Sequence, residues 1–169
     1  IFGRGGEEAS YLKKHKIPFE IVPGVSAGYA VPAYAGIPVT DRRFASLVTF
    51  VTAHENPEKE KTSVDWEKLA KIGGTLVSFM GVKNLPYVVK ALIQGGKSGK
   101  TPVSVIEWGT LPKQRVVQGT LESIVKKVRD GKIESPAVTV IGEVNSLRKE
   151  LNWFPSVQSL SGKTVLVTR

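Results

Sequence analysis

Ser26 lies in the run Pro23–Gly28 (PGVSAG), which fits the G-x-S-x-G pattern of a nucleophile elbow between a strand and a helix. In that chemistry Ser26 attacks an acyl carbon, His54 is the base and Asp41 the orienting acid, and the order Ser, Asp, His agrees. Against it, His54 follows the serine too soon for a hydrolase sheet to intervene, and 17 glycines make chance matches easy. A close-packed glycine turn is the plainer reading. Gly3–Glu8 (GRGGEE) is a glycine loop feeding a helix, where backbone N–H groups can take an anion. Glu7 and Glu8 in the first turn would repel phosphate, so a tight turn or a close backbone approach to a ligand fits better. Arg42-Arg43 follows a buried-looking stretch and precedes a strand, where an arginine can clamp carboxylates bidentately. His54-Glu55 starts like a zinc-protease helix, but no second histidine follows and Pro57 breaks the helix.

These residues need elements to hold them. Apolar periodicity alternates strands with helices, the pattern of an α/β sheet covered on its faces. Helices are predicted over Glu7–Lys14, Ser26–Tyr34, a short segment capped by Asp65, the stripe Leu85, Val88, Val89, Leu92 and Ile93, and the stripe Leu121, Ile124, Val125 and Val128. Gly95-Gly96 and Gly131 close the last two, and Thr120 caps the final one. Strands are predicted at Pro18–Val22, Ser46–Ala53, Thr75–Met80, Val103–Glu107, Arg115–Gly119, Ala137–Ile141 and Thr164–Val167. His54–Val64 reads as a polar loop, and the linker composition after Phe154 marks a domain boundary.

Composition narrows the function classes. The chain has 169 residues, 41% of them hydrophobic and 23% charged, which is the make-up of a folded domain and not of a disordered one. It has no cysteine and only two histidines, so no disulfide, thiolate or histidine-built metal site is expected. The absence of cysteine fits a reducing cytoplasm. No signal peptide is visible. Ile21–Thr40 carries no charge, but its prolines and glycines make it a poor membrane helix. A net charge of +9 predicts an anionic partner. The lysine-rich faces lack interleaved aromatics, so nucleic acid is not the expected one.

Longer blocks add a resemblance. IFGRGGEEA, IPFEIVPGVSAG, AYAGIPVT, SLVTFVTAHE, DWEKLA, GGTLVSFMGVKNL, PVSVIEWGT, QRVVQGTL, and VIGEV with LRKELNWF run in order from Ile1 to Phe154. Together they closely resemble the uroporphyrinogen-III-methylating members of the tetrapyrrole methylase family. The tail LSGKTVLVTR resembles the first strand of uroporphyrinogen-III synthases. The resemblance therefore implies a partial tetrapyrrole methylase over 1–154, comprising the end of the interdomain segment and the C-terminal domain. It implies a linker and the first strand of a following domain over 155–169. The implied fold is α/β, a mixed sheet flanked by helices, with the family's N-terminal domain absent.

The resemblance implies an S-adenosylmethionine-dependent enzyme that methylates uroporphyrinogen-III twice to give precorrin-2, for sirohaem or cobalamin, with S-adenosylhomocysteine as product. The cofactor lies between two domains in the family, so this chain alone is expected to be inactive. Carried over by motif, Ile1, Ser26, Ala27, Met80 and Gly109 stand at the cofactor, and Arg4, Glu7 and Arg42 in the substrate cleft. Arg4 is too weak an acid to act as a literal base and is expected to orient and stabilise charge. Asp41 replaces a histidine frequent in the family and brings a charge beside Arg42. The implied partner is an anionic tetrapyrrole, with no nucleic acid, no membrane and no metal, in a cytoplasmic homodimer. The alternatives from the residues alone are a serine hydrolase using Ser26 and a basic anion- or nucleic-acid-binding module.

Overall fold

The computed structural model describes residues 5–53, 64–154 and 162–167. In chain order the elements are α1 (Gly6–Lys14), α2 (Ala27–Tyr34), β1 (Val48–Thr52), α3 (Trp66–Lys71), β2 (Thr75–Phe79), α4 (Leu85–Gln94), β3 (Pro102–Glu107), β4 (Arg115–Thr120), α5 (Leu121–Asp130) and β5 (Ala137–Ile141). A 3₁₀ turn (Glu143–Leu147) and a short α6 (Arg148–Leu151) follow. The strands form one sheet in the order β1-β2-β5-β3-β4. β1 and β2 are parallel, whereas β5 is antiparallel to both β2 and β3, and β3 to β4. The sheet is thus mixed, with β1, β2 and β3 pointing the same way.

Alternation along the strands divides the core in two. Leu76, Val103, Val105 and Ile141 face the helices α3, α4 and α5, where they meet Trp66, Leu85, Val88, Leu92, Leu121 and Ile124. Val77, Ile106, Val138 and Val140 face the other way and meet Val31 of α2, Ala35, Ile37 and Val144. β2, β5 and β3 are buried on both faces and read as near-continuous apolar runs, as central strands must. The helical stripe on α4 is buried at Leu85, Val88, Val89 and Leu92, while Ile93 lies at its rim, 38% exposed.

Local chemistry explains most of the helix ends. Asp65 Oδ1 accepts the Lys68 N–H at 3.0 Å and starts α3. Ser26 Oγ accepts the Gly28 N–H at 3.1 Å and starts α2. At α5 Thr120 is the N-cap residue as expected, and the Ser123 hydroxyl accepts the Thr120 N–H at 2.9 Å, the return bond of a capping box.

Two predicted strands are absent. Pro18–Val22 forms no strand and pairs with none among the described residues, and Phe19, Ile21 and Val22 are exposed. Thr164–Val167 is likewise unpaired, with Val165, Leu166 and Val167 exposed. Apolar β-formers make a strand only where a neighbouring chain supplies the ladder. The 3₁₀ turn and α6 are too short to show a period in sequence. The predicted loop falls almost wholly at 54–63, outside the described residues.

The end of the domain folds back on α2. Trp153 Nε1 donates to the Ala33 carbonyl at 3.0 Å, and Tyr34 packs against the rings of Trp153 and Phe154. Gly36 makes this contact possible. Its φ is +70°, and a Cβ there would lie 2.6 Å from the Leu151 carbonyl oxygen. Gly36→Ala therefore combines left-handed strain with a backbone clash, and should lower unfolding free energy by about 1–3 kcal/mol in urea denaturation.

Candidate functional site

A cavity of about 890 Å³ opens at the carboxyl ends of β2 and β3, beside the start of β5. Its wall is Ala27 and Val31 of α2, Phe79 and Met80 after β2, Ile106 and the loop Trp108–Leu111 after β3, and Ser135–Val138. The lining is mostly apolar, with the polar residues Thr110, Ser135 and Lys83 added. A cavity of this size, apolar with a few polar residues, suits a drug-sized organic molecule. Carboxyl ends of parallel strands are the usual ligand position in open α/β sheets.

Backbone strain concentrates here. Met80, Trp108 and Thr110 have φ of 52°, 49° and 72°, and all three line the cavity. Lys16 and Lys132 share the left-handed conformation, but each merely follows a helix end. Non-glycine residues held at positive φ need a surrounding structure that fixes them. Met80 is 55% exposed, so its side chain stands at the opening and does not fill the core.

Two contacts set the width of the cavity. A Cβ on Gly28 would lie 2.7 Å from the rings of Phe50 and Phe79, so α2 rests directly on those aromatics. A side chain on Gly109 would collide with Val31, so the loop after β3 presses against α2. Gly109 is thus required by packing as well as standing at the cavity wall. The Lys113 ammonium lies 3.3 Å from the centroid of the Trp108 ring and holds the indole at the rim.

The opposite wall is fastened by a buried carboxylate. Glu107, 3% exposed at the end of β3, accepts from Arg115 Nε at 2.6 Å and from the Glu134 N–H at 2.8 Å. Arg115 also donates to the carbonyls of Gly131 and Lys132, and the Trp108 N–H donates to the Pro136 carbonyl at 3.1 Å. The loop before β5 is thereby tied to the hairpin β3–β4. The hydrogen bond from Arg115, helped by the Glu134 N–H, lowers the Glu107 carboxyl below its ordinary range despite burial.

Of the residues proposed from sequence, the structure brings Ala27, Met80 and Gly109 together in the cavity wall. Ser26 is next to Ala27, its hydroxyl used as the α2 cap. Glu7 lies in the first turn of α1, outside the cavity lining. Arg42 is exposed in the tight turn Asp41–Ala45 and makes no ion pair among the described residues. Asp41 turns to Arg43, accepting its backbone N–H at 2.9 Å and its Nε at 3.1 Å, so it does not pair with Arg42. Ile1, Arg4 and His54 lie outside the described residues. Sequence reasoning missed Lys83, Thr110 and Ser135–Val138, and gave Trp108 no role of its own. Nothing in the residue types marks positive φ or the meeting of two distant loops.

The family profile of tetrapyrrole (corrin/porphyrin) methylases matches residues 1–125. The chain belongs to that family. It is 54% identical, over 85% of its length and 56% of the other protein's, to an S-adenosyl-L-methionine-dependent uroporphyrinogen III methyltransferase of Methanosarcina barkeri. A uroporphyrinogen-III C-methyltransferase of Bacillus subtilis is 48% identical over 99% of this chain and 35% of its own. Among solved structures, the uroporphyrin-III C-methyl transferase of Thermus thermophilus, complexed with S-adenyl homocysteine, matches with TM-score 0.71 and 34% identity, covering 87% of this chain and 63% of that one. The chain thus spans about a third to three fifths of these relatives.

The lowered pKa fixes a sign. Stability from Glu107 is present above the pKa of an unfolded glutamate and is lost as pH falls through the lower folded value. Glu107→Gln should cost about 1–3 kcal/mol at pH 7. Denaturant titrations at neutral and acid pH should show that difference shrinking below the ordinary carboxylate range.

Proposed function

We propose that the chain forms one wall of the S-adenosylmethionine site of a uroporphyrinogen-III C-methyltransferase that yields precorrin-2 for sirohaem or cobalamin. The observation that carries this reading is the cavity uniting Ala27, Met80 and Gly109, three residues distant in sequence and implied by resemblance to stand at the cofactor. The Thermus thermophilus relative in complex with S-adenyl homocysteine supports it. We further propose that residues 1–154 comprise the end of an interdomain segment and the C-terminal domain, and that 155–169 lead into a synthase-like domain.

S-adenosylmethionine, when bound, supplies an electrophilic methyl group on a sulfonium. The chain's own residues hold and enclose. Val31, Phe79 and Ile106 form an apolar floor, and the small residues Ala27 and Gly109 let a ligand come close to the wall. Lys83 puts a positive charge in the wall, suited to a ligand carboxylate. Methyl transfer to a ring carbon depends on distance and alignment, which a fixed wall provides. Arg42 is assigned to the carboxylates of an anionic tetrapyrrole, and its exposed position in the Asp41–Ala45 turn suits that contact. Glu7 and Arg4 are assigned to the same substrate. We also infer a cytoplasmic homodimer, and no helix among the described residues is long and apolar enough to cross a membrane.

The serine-hydrolase alternative gains no support. The Ser26 hydroxyl caps α2, and Asp41 is engaged by Arg43. Family membership likewise displaces the basic binding module.

Calorimetry with S-adenosylhomocysteine on the full-length protein tests the reading. Ala27→Phe, which places a ring in the cavity, should weaken binding at least about tenfold, the equivalent of ~1.4 kcal/mol. Unaltered affinity would remove this cavity from consideration. Arg42→Ala should weaken tetrapyrrole binding by about 10–150-fold and leave S-adenosylhomocysteine affinity unchanged. The 169-residue chain alone should show no turnover, and turnover by it would place the active site elsewhere.

A further inference from the structure

We propose that Gln114 is a positioning residue for the cavity: it fixes the strained rim residue Thr110 to the carboxyl end of α2. The inference rests on the reading of the cavity given above. Thr110 has φ +72° at the middle of the loop between β3 and β4, and it lines the cavity. Its backbone N–H donates to Gln114 Oε1 at 2.9 Å. The same side chain donates through Nε2 to the Tyr34 carbonyl at 3.2 Å, on the last residue of α2.

The two bonds join structures that need each other. Tyr34 O is one of the terminal helix carbonyls with no intrahelical partner, and the amide satisfies it. Thr110 N–H lies in a conformation that a β-branched residue rarely adopts, and the amide oxygen holds it there. An amide carries a donor and an acceptor together, and the bridge needs both. The ends of the loop are fixed otherwise: Glu107 is paired with Arg115, Trp108 N–H binds Pro136 O, and Gln114 N–H returns to Leu111 O at 2.8 Å. These bonds secure its base. Gln114 connects its tip to the helix that also carries Ala27 and Val31. Packing of Gly109 on Val31 sets the spacing between the α2 wall and the Trp108–Leu111 wall, and the Gln114 side chain, bonded to both, holds the strained loop at that spacing.

The test is S-adenosylhomocysteine binding by calorimetry on the full-length protein, beside thermal unfolding. Gln114→Ala should weaken affinity about tenfold, the loss expected for one to two hydrogen bonds. Gln114→Glu keeps an acceptor for Thr110 but sets a carboxylate against the Tyr34 carbonyl, so it should lose affinity about as Gln114→Ala does. Asp65→Ala removes a cap bond on α3, away from the cavity lining, and reports destabilisation alone; its affinity should match the parent's. Unchanged affinity in Gln114→Ala, or an equal loss in Asp65→Ala, overturns the positioning role while leaving the cofactor reading intact. A parent protein that does not bind S-adenosylhomocysteine overturns both.

Discussion

The approach of α2 to the sheet governs the geometry of the whole site. Val31 occupies the volume that a side chain on Gly109 would need, and the Phe50 and Phe79 rings occupy that of one on Gly28. Helix–sheet distance is set by such contacts, because interiors are packed to near crystalline density and leave no slack. With α2 fixed there, its first residue, Ala27, meets the ends of β2 and β3 across a cavity instead of filling it. A wider spacing would flood the floor of Val31, Phe79 and Ile106, and a narrower one would close it.

Three fastenings keep that spacing. The C-terminal turn returns Trp153 and Phe154 to α2, across the close contact that Gly36 permits. The Glu107–Arg115 pair ties the β3–β4 hairpin to the loop before β5, and Gln114 ties the hairpin tip to α2. The buried Glu107 carboxylate in particular would be costly to leave without a partner. The left-handed conformations of Met80, Trp108 and Thr110 lie within this frame. Strain of that kind persists only where neighbours over-determine it, and here all three residues line the cavity.

The basic charge and the exposed apolar segment around Phe19–Val25 have different relations to the site. Lys83 and Lys113 bring positive charge to the rim, while Lys13, Lys14, Lys126 and Lys127 lie on exposed helical faces away from it. The exposed run Ile17, Phe19, Ile21, Val22 and Val25 leads directly into the Ser26 cap, so its path decides how the chain enters α2.

Sequence alone determined the alternation of strands and helices, because apolar period is a local property that burial then enforces. Val103–Glu107, Ala137–Ile141 and the stripes of α4 and α5 were legible for that reason. It also determined the family, through blocks spread along the chain, and it singled out Ala27, Met80 and Gly109, which the structure brings into one cavity wall. Strand order was not legible, since β5 inserts between β2 and β3 although it comes last in the chain. Nor were the strand failures at Pro18–Val22 and Thr164–Val167, where a β-rich sequence lacks a neighbour to pair with. The cavity itself belongs wholly to tertiary structure. Gln114 reaches a carbonyl 80 residues earlier, and Glu107 reaches an N–H 27 residues later. Residue types could not announce such bonds, because a hydrogen bond between distant segments exists only once the sheet has brought their backbones within three ångströms or so.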